Sequence, residues 1–323
     1  DAIKKININL STFKAMSYGD VDFKENYPKF NKINSITLKD YKNDVKPDWC
    51  AGCGDFSVLA GINRAVVNLG IKPENVVISA GIGCSGKISG YTKAYGVQGL
   101  HGRSLPIAQG IKLANQDLTV FAMGGDGDGY AIGIGHAVHA MKRNVNMTYV
   151  VMDNQLYALT KGQMSPKSDE GLVTTTTLEG VMEKPLSAMK IALSCEVTFL
   201  AQAFTGDMKE MMQIFEEAVN HDGFSLVNVF SPCKTYNYKN TPAWYKENLT
   251  KLSDIEGYDN TNKLEAYRVL EEYNDLVTGV IYKNEKKPHY EDTLRNYKRD
   301  EPIAHQNLEF SEELFNSLCD EFR

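Results

Sequence analysis

The stretch Gly124-Gly125-Asp126-Gly127-Asp128-Gly129 decides the fold of this chain through what stands before and after it. An apolar run of strand-forming residues, Leu118–Met123, precedes it, and a second such run, Met147–Met152, precedes Asn154. Between the runs, Tyr130–Met141 carries apolar residues at helical spacing. The pattern predicts a βαβ unit. Its glycine turn, carboxylate and amide then lie at the carboxyl ends of parallel strands, where open α/β sheets bind ligands.

The same alternation of strand and helix continues along the chain. Further strands are predicted at Val76–Ala80, Val197–Ala201 and Phe224–Phe230, and further helices at Phe56–Leu69, Ser104–Ala114, Ser187–Ser194 and Asp207–Asn220. This order predicts an α/β fold whose mostly parallel sheet has helices on both faces.

Composition divides the chain into three segments. Residues 1–44 are polar and rich in lysine and asparagine, and we interpret them as an N-terminal arm. Residues 45–235 hold the predicted sheet and form the ligand-binding domain. Residues 236–323 are polar and rich in tyrosine, and form a C-terminal extension that contacts a partner subunit or packs on its own domain. The long, threonine-rich loop Lys161–Pro185 is expected to be functional.

Charge and hydropathy exclude several classes of protein. The 323 residues are 42% hydrophobic, which suffices for a sizeable core, and no apolar run approaches the ~20 residues of a membrane span. The net charge of −6, without a basic stripe, argues against nucleic-acid binding. Since no secretory segment is visible, we expect a cytoplasmic protein without structural disulfides.

The glycine turn and the two polar residues at the strand ends predict a diphosphate and metal site. Glycines let the backbone approach a diphosphate, and hard oxygen ligands such as Asp126 and Asn154 suit Mg²⁺ shared between protein and phosphate. An Asp/Gly turn also occurs in unrelated α/β proteins. Asn154 at the end of the next strand favours the metal site over that interpretation.

Six cysteines are present, at positions Cys50, Cys53, Cys84, Cys195, Cys233 and Cys319. The first two form a glycine-flanked C-x-x-C, and Cys84 and Cys233 each follow a predicted strand, at the sheet edge that carries the glycine turn. Four thiolates can ligate an iron–sulfur cluster. The alternatives are a zinc site, which commonly has two C-x-x-C pairs, and a thioredoxin-like redox pair before a helix. We interpret Cys195 and Cys319 as ordinary residues.

Six motifs in order between Lys46 and Tyr238 carry a resemblance to a known family. They are W-C-x-G-C-G, G-I-G-C-S-G-K, L-H-G-R, G-G-D-G-D, D-N-x-x-Y-x-L-T-K-G-Q and P-C-x-T-Y-N. The chain thus resembles the β subunit of the 2-oxoacid:ferredoxin oxidoreductases, which are thiamine diphosphate (ThDP) enzymes with a [4Fe–4S] cluster. One departure is Ala51, where members of the family usually have proline.

The resemblance implies a role for each matching residue. The cluster ligands are Cys50, Cys53, Cys84 and Cys233, and Mg²⁺ is held by Asp126, Asn154 and the Leu156 carbonyl. ThDP is lined by Ile82, Gly83, Cys84, Ser85, His101, Gly127, Asp128, Gly129, Leu159 and Thr160. His101 is also expected to hydrogen-bond the cofactor or a reacting oxygen. Lys161, with Lys87 as second candidate, is expected to pair with the distal carboxylate of 2-oxoglutarate.

The resemblance also implies an activity and partners. The reaction is the CoA-dependent oxidative decarboxylation of 2-oxoglutarate to succinyl-CoA and CO₂, or its reverse, with electrons passing through the cluster to ferredoxin. Pyruvate or a broad range of 2-oxoacids are alternative substrates, and a non-oxidative ThDP decarboxylase would have no use for the four cysteines. An α subunit would supply the glutamate that activates ThDP, in an αβ or (αβ)2 assembly.

Overall fold

The computed structural model describes residues 36–294, 302–306 and 311–320. Most of the predicted N-terminal arm, residues 1–35, therefore lies outside the described residues, as do parts of the predicted C-terminal extension. No helix in the described ranges has both the length and the apolar character needed to cross a membrane.

An eight-stranded sheet forms the centre of the described chain. Its strands are β1 (Val76–Ala80), β2 (Tyr95–Gln98), β3 (Thr119–Gly125), β4 (Met147–Asp153), β7 (Phe199–Phe204), β8 (Phe224–Phe230), β9 (Thr250–Lys251) and β10 (Val277–Lys283). The spatial order is β2-β1-β3-β4-β8-β7-β10-β9. All pairings from β2 to β7 are parallel, so the carboxyl ends of β1, β3 and β4 are neighbours, as the βαβ pattern predicts.

Helices cover both faces of this sheet. The helices of the described residues are α1 (Asp55–Asn68), α2 (Ser104–Ala114), α3 (Ile134–Arg143), α4 (Ala188–Ser194), α5 (Met208–Asn220), α6 (Pro242–Asn248), α7 (Lys263–Glu272) and α8 (Glu312–Asp320). Neighbouring strand residues alternate between two buried apolar clusters: Val120 joins α2, α3 and α7 on one face, and Phe121 joins α1 and α5 on the other. The predicted helix-covered parallel sheet is confirmed.

The C-terminal extension contributes to the same sheet, which the sequence did not predict. Strand β10 pairs antiparallel with β7, and Val277 and Ile281 are fully buried. The buried side chain of Gln202 donates to the Val277 carbonyl at 3.0 Å. Residues 250–283 therefore pack on their own domain, and contact with a partner subunit stays a prediction.

The predicted crossover helix has an irregular start. Asp128–Ile132 form a π-turn, and the regular helix α3 begins only at Ile134. A Cβ atom on Gly133 would lie 2.5 Å from the Asp128 carbonyl oxygen, so only glycine fits this change of helix type. Beyond β4, a small antiparallel hairpin of β5 (Leu156–Tyr157) and β6 (Gln163–Met164) leads into the long threonine-rich loop.

Candidate functional site

A pocket of about 100 Å³ lies at the carboxyl ends of β1, β3 and β4, and we call it the acidic pocket. Its lining is Ile82, Gly83, Cys84, Ser85, His101, Gly125, Asp126, Gly127, Asp128, Asn154, Leu156, Tyr157, Leu159 and Thr160. All three residues predicted to hold Mg²⁺ and nine of the ten predicted to line ThDP are among them.

Asp126 is a fully buried carboxylate with one unsatisfied oxygen. Its Oδ2 accepts a hydrogen bond from the Ser165 hydroxyl, whereas its Oδ1 has no hydrogen-bond partner. Burial, and after it the charge of Asp153, raises the pKa of Asp126 to about 8. Both effects disfavour the charged carboxylate, and a cation at Oδ1 would relieve them. The residue therefore fits the predicted role of metal ligand.

Asn154 and Leu156 form the turn that follows β4. The Leu156 N–H donates to Asn154 Oδ1 at 3.0 Å, and Gln155 between them has a positive φ of 63°. An amide oxygen has two lone pairs, so this bond leaves one for a metal ion. Because Asn154 and Leu156 line the acidic pocket with Asp126, the donor set of carboxylate, amide and carbonyl oxygens suits Mg²⁺.

Asp128 ties two loops of the pocket together. Its Oδ1 accepts hydrogen bonds from the N–H groups of Ile82 at 2.9 Å and Gly102 at 2.8 Å, and lies 2.6 Å from His101 Nδ1. A Cβ on Gly81 would lie 2.1 Å from Asp128 Oδ2, so the approach requires glycine. Asp128 therefore shapes the pocket as well as lining it.

His101 is held with one ring nitrogen engaged. Asp128 occupies its Nδ1, so Nε2 is the nitrogen left for a ligand. The imidazole is 37% exposed, and its ring packs edge-on against Tyr157 with the centroids 6.0 Å apart. Tyr157 in turn donates to the Gly127 carbonyl at 3.2 Å, and a Cβ on Gly127 would lie 2.2 Å from its ring.

Three predicted residues do not line the acidic pocket. Gly129 lies beneath it, because a Cβ there would come within 2.1 Å of the Tyr149 hydroxyl. The Lys87 ammonium bonds both oxygens of Asp48, at 2.8 and 3.0 Å. Lys161 is exposed on the turn after the lining residues, with a φ of 79°. The structure therefore does not place Gly129, Lys87 or Lys161 against the space for the cofactor.

A second pocket, of about 40 Å³, brings the four predicted cluster ligands together, and we call it the cysteine pocket. Its lining is Trp49, Cys50, Cys53, Cys84, Asn154, Ala158, Ser231, Cys233, Lys234, Thr235 and Tyr236. The Trp49 indole N–H donates to the Cys84 carbonyl at 2.8 Å and so joins the C-x-x-C segment to the end of β1. Cys195 packs in the apolar cluster on one face of the sheet, and Cys319 lies on α8.

Burial disfavours the free thiolate form of two cysteines in this pocket, Cys53 and Cys84. It raises the pKa of Cys84 to about 12 and that of Cys53 further, and the buried carboxylate of Asp55 raises both. A reactive thiol needs a lowered pKa, so the raised pKa of Cys53 fits a thioredoxin-like role poorly. A positively charged group bound to the sulfur atoms would offset the desolvation.

Zinc and an iron–sulfur cluster are the two metal groups that several thiolates commonly bind. Among the described residues, no three His, Cys, Asp or Glu side chains lie close enough to hold one metal ion. A [4Fe–4S] cluster takes one thiolate at each of four irons, so its ligands stand further apart than those of zinc.

Cys84 and Asn154 belong to both pockets. Sequence reasoning assigned Cys84 to both the cluster and the cofactor, and Asn154 to the metal ion alone. Strands β1 and β4 flank β3, so their carboxyl ends bring the two residues to the same edge of the sheet. Sequence reasoning missed Ser165, which bonds Asp126, and the buried carboxylates of Asp55 and Asp153. Asp153 adjoins Asn154 in the D-N motif, which was the available signal; Ser165 had none.

Comparison with known proteins agrees with this geometry. Residues 81–229 match the C-terminal, thiamine pyrophosphate-binding domain of thiamine pyrophosphate enzymes, and residues 233–299 match the C-terminal part of the pyruvate ferredoxin oxidoreductase β subunit. The chain is 38% identical over 260 residues to a 2-oxoacid:ferredoxin oxidoreductase subunit β of a Sulfolobus species, covering 77% of this chain and 85% of that relative. The chain belongs to the family of 2-oxoacid:ferredoxin oxidoreductase β subunits.

Other members of the family extend the likeness. A 2-oxoglutarate synthase subunit KorB of Methanocaldococcus jannaschii is 33% identical, over 70% of this chain and 88% of its own. The solved 2-oxoglutarate:ferredoxin oxidoreductase of Magnetococcus marinus, with 2-oxoglutarate, coenzyme A and succinyl-CoA bound, superimposes with a TM-score of 0.80 at 36% identity. That match covers 90% of this β-subunit homologue and 98% of the solved chain. The family predicted from the six motifs is confirmed.

Proposed function

We propose that this chain is the β subunit of a 2-oxoglutarate:ferredoxin oxidoreductase. The reaction is the CoA-dependent conversion of 2-oxoglutarate to succinyl-CoA and CO₂, or its reverse, with ferredoxin as electron carrier. The observation that carries the proposal is the contact between the acidic pocket and the cysteine pocket through Cys84 and Asn154. A decarboxylase without electron transfer needs the first pocket alone, and an electron-transfer subunit needs the second alone.

The acidic pocket is proposed to hold the diphosphate of ThDP through Mg²⁺. Asp126, Asn154 and the Leu156 carbonyl would bind the ion, and the glycine turn at Gly127 would let the diphosphate approach the backbone. ThDP would supply the nucleophilic carbon and the electron sink for decarboxylation. His101, fixed by Asp128 at Nδ1, would present Nε2 to the cofactor or to a reacting oxygen.

The cysteine pocket is proposed to hold one [4Fe–4S] cluster on Cys50, Cys53, Cys84 and Cys233. Cys84 immediately precedes Ser85, which lines the acidic pocket, so cluster and cofactor would be close neighbours. Such closeness suits electrons that leave a two-electron oxidation one at a time.

A separate α subunit is proposed to complete the site. No glutamate is found among the residues that line the acidic pocket, although a ThDP enzyme needs one to activate the cofactor. The rim residues Ile82 and Leu159 are 37% and 45% exposed, which leaves apolar surface beside the pocket for a partner to cover. The relatives are themselves named as β subunits.

The proposal is tested with the αβ complex purified without oxygen. We expect reduction of ferredoxin that requires 2-oxoglutarate, CoA, ThDP and Mg²⁺ together, and none by this chain alone. Pyruvate, which the matched C-terminal family names, is the competing substrate. A higher kcat/KM for pyruvate than for 2-oxoglutarate would replace the substrate in the proposal but keep the reaction type.

A further inference from the structure

Behind Asp126 lies a second fully buried carboxylate, Asp153, to which neither the motifs nor the proposed function give a role. It is the last residue of β4 and immediately precedes Asn154. Its Oδ1 accepts from the Gln155 N–H at 3.3 Å, and its Oδ2 from the Asn228 side chain at 3.2 Å. Asp126 and Asp169 are also close enough to influence its charge. Burial disfavours the charged form of a carboxylate in this position, and a cation beside it would offset that effect.

Lys167 supplies a cation from within the protein. Its Nζ lies 3.8 Å from Asp153 Oδ2, and the two side chains are only 6% and 0% exposed. Lysine is almost never buried unless it is paired, so the chain places this ammonium against the carboxylate at a cost in desolvation. The contact crosses from the threonine-rich loop to the end of β4.

The turn that carries Lys167 also contacts residues of the proposed metal site. The Ser165 hydroxyl donates to Asp126 Oδ2, and the Ser168 hydroxyl donates to the Gln155 carbonyl at 2.5 Å. Residues 165–168 therefore reach the metal-ligand carboxylate, the carboxylate behind it, and the turn that presents Asn154. The three contacts therefore all support the residues around the proposed metal site.

The two carboxylates differ in how many of their oxygens have partners. Asp126 keeps an oxygen without a hydrogen-bond partner, which suits an incoming cation. Both oxygens of Asp153 are engaged, and one of them faces Lys167. We infer that Lys167 is a positioning residue that balances the charge of Asp153, so that the Asp153–Leu156 turn is set for Mg²⁺ and ThDP before they bind.

This inference rests on the proposed ThDP site and is tested by a double-mutant cycle in the αβ complex. ThDP and Mg²⁺ are removed with a chelator, and ThDP affinity is measured calorimetrically at fixed Mg²⁺ for the unaltered complex, Lys167→Met, Asp153→Asn and the double variant. Lys167→Met leaves Asp153 without its cation, so we expect about 10-fold weaker binding, the lower end for loss of a charge-assisted contact. In the Asp153→Asn background, Lys167→Met should weaken ThDP binding by less than about 3-fold.

A matched control is Lys239→Met. Lys239 pairs with Asp169 at 3.3 Å, near the same carboxylates, but its side chain is 46% exposed. We expect its effect on ThDP affinity to stay within about 2-fold, because exposed pairs contribute little. A loss of ThDP affinity equal to that of Lys167→Met would show that any nearby positive charge has the same effect, and it would overturn the inference.

The remaining outcomes separate the inference from the proposed function. An equal loss for Lys167→Met in both backgrounds, or no loss in either, overturns the role through Asp153. If Lys167→Met fails to fold, it is compared with the double variant by the recovery of folded complex instead. The double variant, which has no unpaired buried charge, should then fold, and its failure overturns the inference. Absence of Mg²⁺-dependent ThDP binding by the unaltered complex would refute the proposed function itself.

Discussion

The acidic pocket and the cysteine pocket share one edge of the sheet but are assembled differently. The first takes its proposed metal ligands from the ends of consecutive strands, β3 and β4, whereas the second gathers thiols from three distant segments, 50–53, 84 and 233. Both enclose groups whose charged form is disfavoured by burial. The comparison teaches that a bound cation would stabilise the charged groups of either pocket, and the proposed Mg²⁺ and [4Fe–4S] cluster are the cations that suit the oxygen and the sulfur ligands.

The largest expected effect is the loss of iron when one thiol of the cysteine pocket is removed. Cys233→Ser removes a thiol from the cysteine pocket only, so iron should fall from about four atoms per chain to below one. Cys195→Ser is the matched control and should keep all the iron. Iron and sulfide analysis of anaerobically purified complexes measures both, and the reverse pattern would show that the ligand set is wrong.

Asp126→Asn tests the other side of the comparison. It removes a charged ligand from the acidic pocket, and we expect ThDP binding in the presence of Mg²⁺ to weaken by more than about 100-fold. Titration calorimetry measures the affinity. Iron content should stay unchanged, because Asp126 does not line the cysteine pocket. Loss of iron together with ThDP would mean that the pockets form one cooperative unit.

Lys161→Ala tests the substrate prediction. Lys161 is exposed beside the acidic pocket, and its ammonium is expected to pair with the distal carboxylate of 2-oxoglutarate, which pyruvate lacks. Loss of a charge-assisted contact should lower kcat/KM for 2-oxoglutarate by ~10- to 150-fold and leave that for pyruvate nearly unchanged. Equal losses on the two substrates would assign Lys161 to the loop or to docking of a partner.

The smallest expected effect is a pH dependence of stability. Because the pKa of Asp126 is raised to about 8, the ThDP- and Mg²⁺-free protein is stabilised by a proton that it loses as the pH rises through that value. The unfolding free energy should fall by up to about 1.4 kcal/mol per pH unit between about pH 4, the ordinary pKa of an aspartate, and about pH 8. Melting curves measure it, and the slope should flatten in Asp126→Asn. An equally steep slope there would place the titration elsewhere.

Much of the fold followed from the sequence because its signals are local. Strands β1 and β8 have the predicted bounds, since each is a short apolar run between polar or glycine turns. Strand β10 was missed because its buried residues lie in a polar, tyrosine-rich segment, and only the exposed edge of β7 gives them a partner. The π-turn at Asp128 was missed because it depends on close packing at Gly133.

The site was predictable where it relies on motifs and not where it relies on tertiary contacts. Most residues that line the acidic pocket, and the four cysteines of the cysteine pocket, were predicted, because glycine, cysteine, aspartate and asparagine carry a recognisable chemistry. Most of the remaining lining of the cysteine pocket was not predicted. The Lys87 contact with Asp48, the support of Asp126 by Ser165 and the burial of Lys167 were not predicted either. Each depends on segments that are distant in the sequence, and no residue pattern predicts such a contact.

The central claim is that the two pockets form one electron-delivering site, and electron paramagnetic resonance tests it most directly. The anaerobic αβ complex is frozen before and after addition of 2-oxoglutarate and CoA, with and without ThDP and Mg²⁺. The account predicts a signal of one reduced [4Fe–4S] cluster in this subunit, which appears only when substrate, ThDP and Mg²⁺ are all present. A complex without iron, or a cluster that substrate leaves oxidised when ThDP is bound, would contradict it.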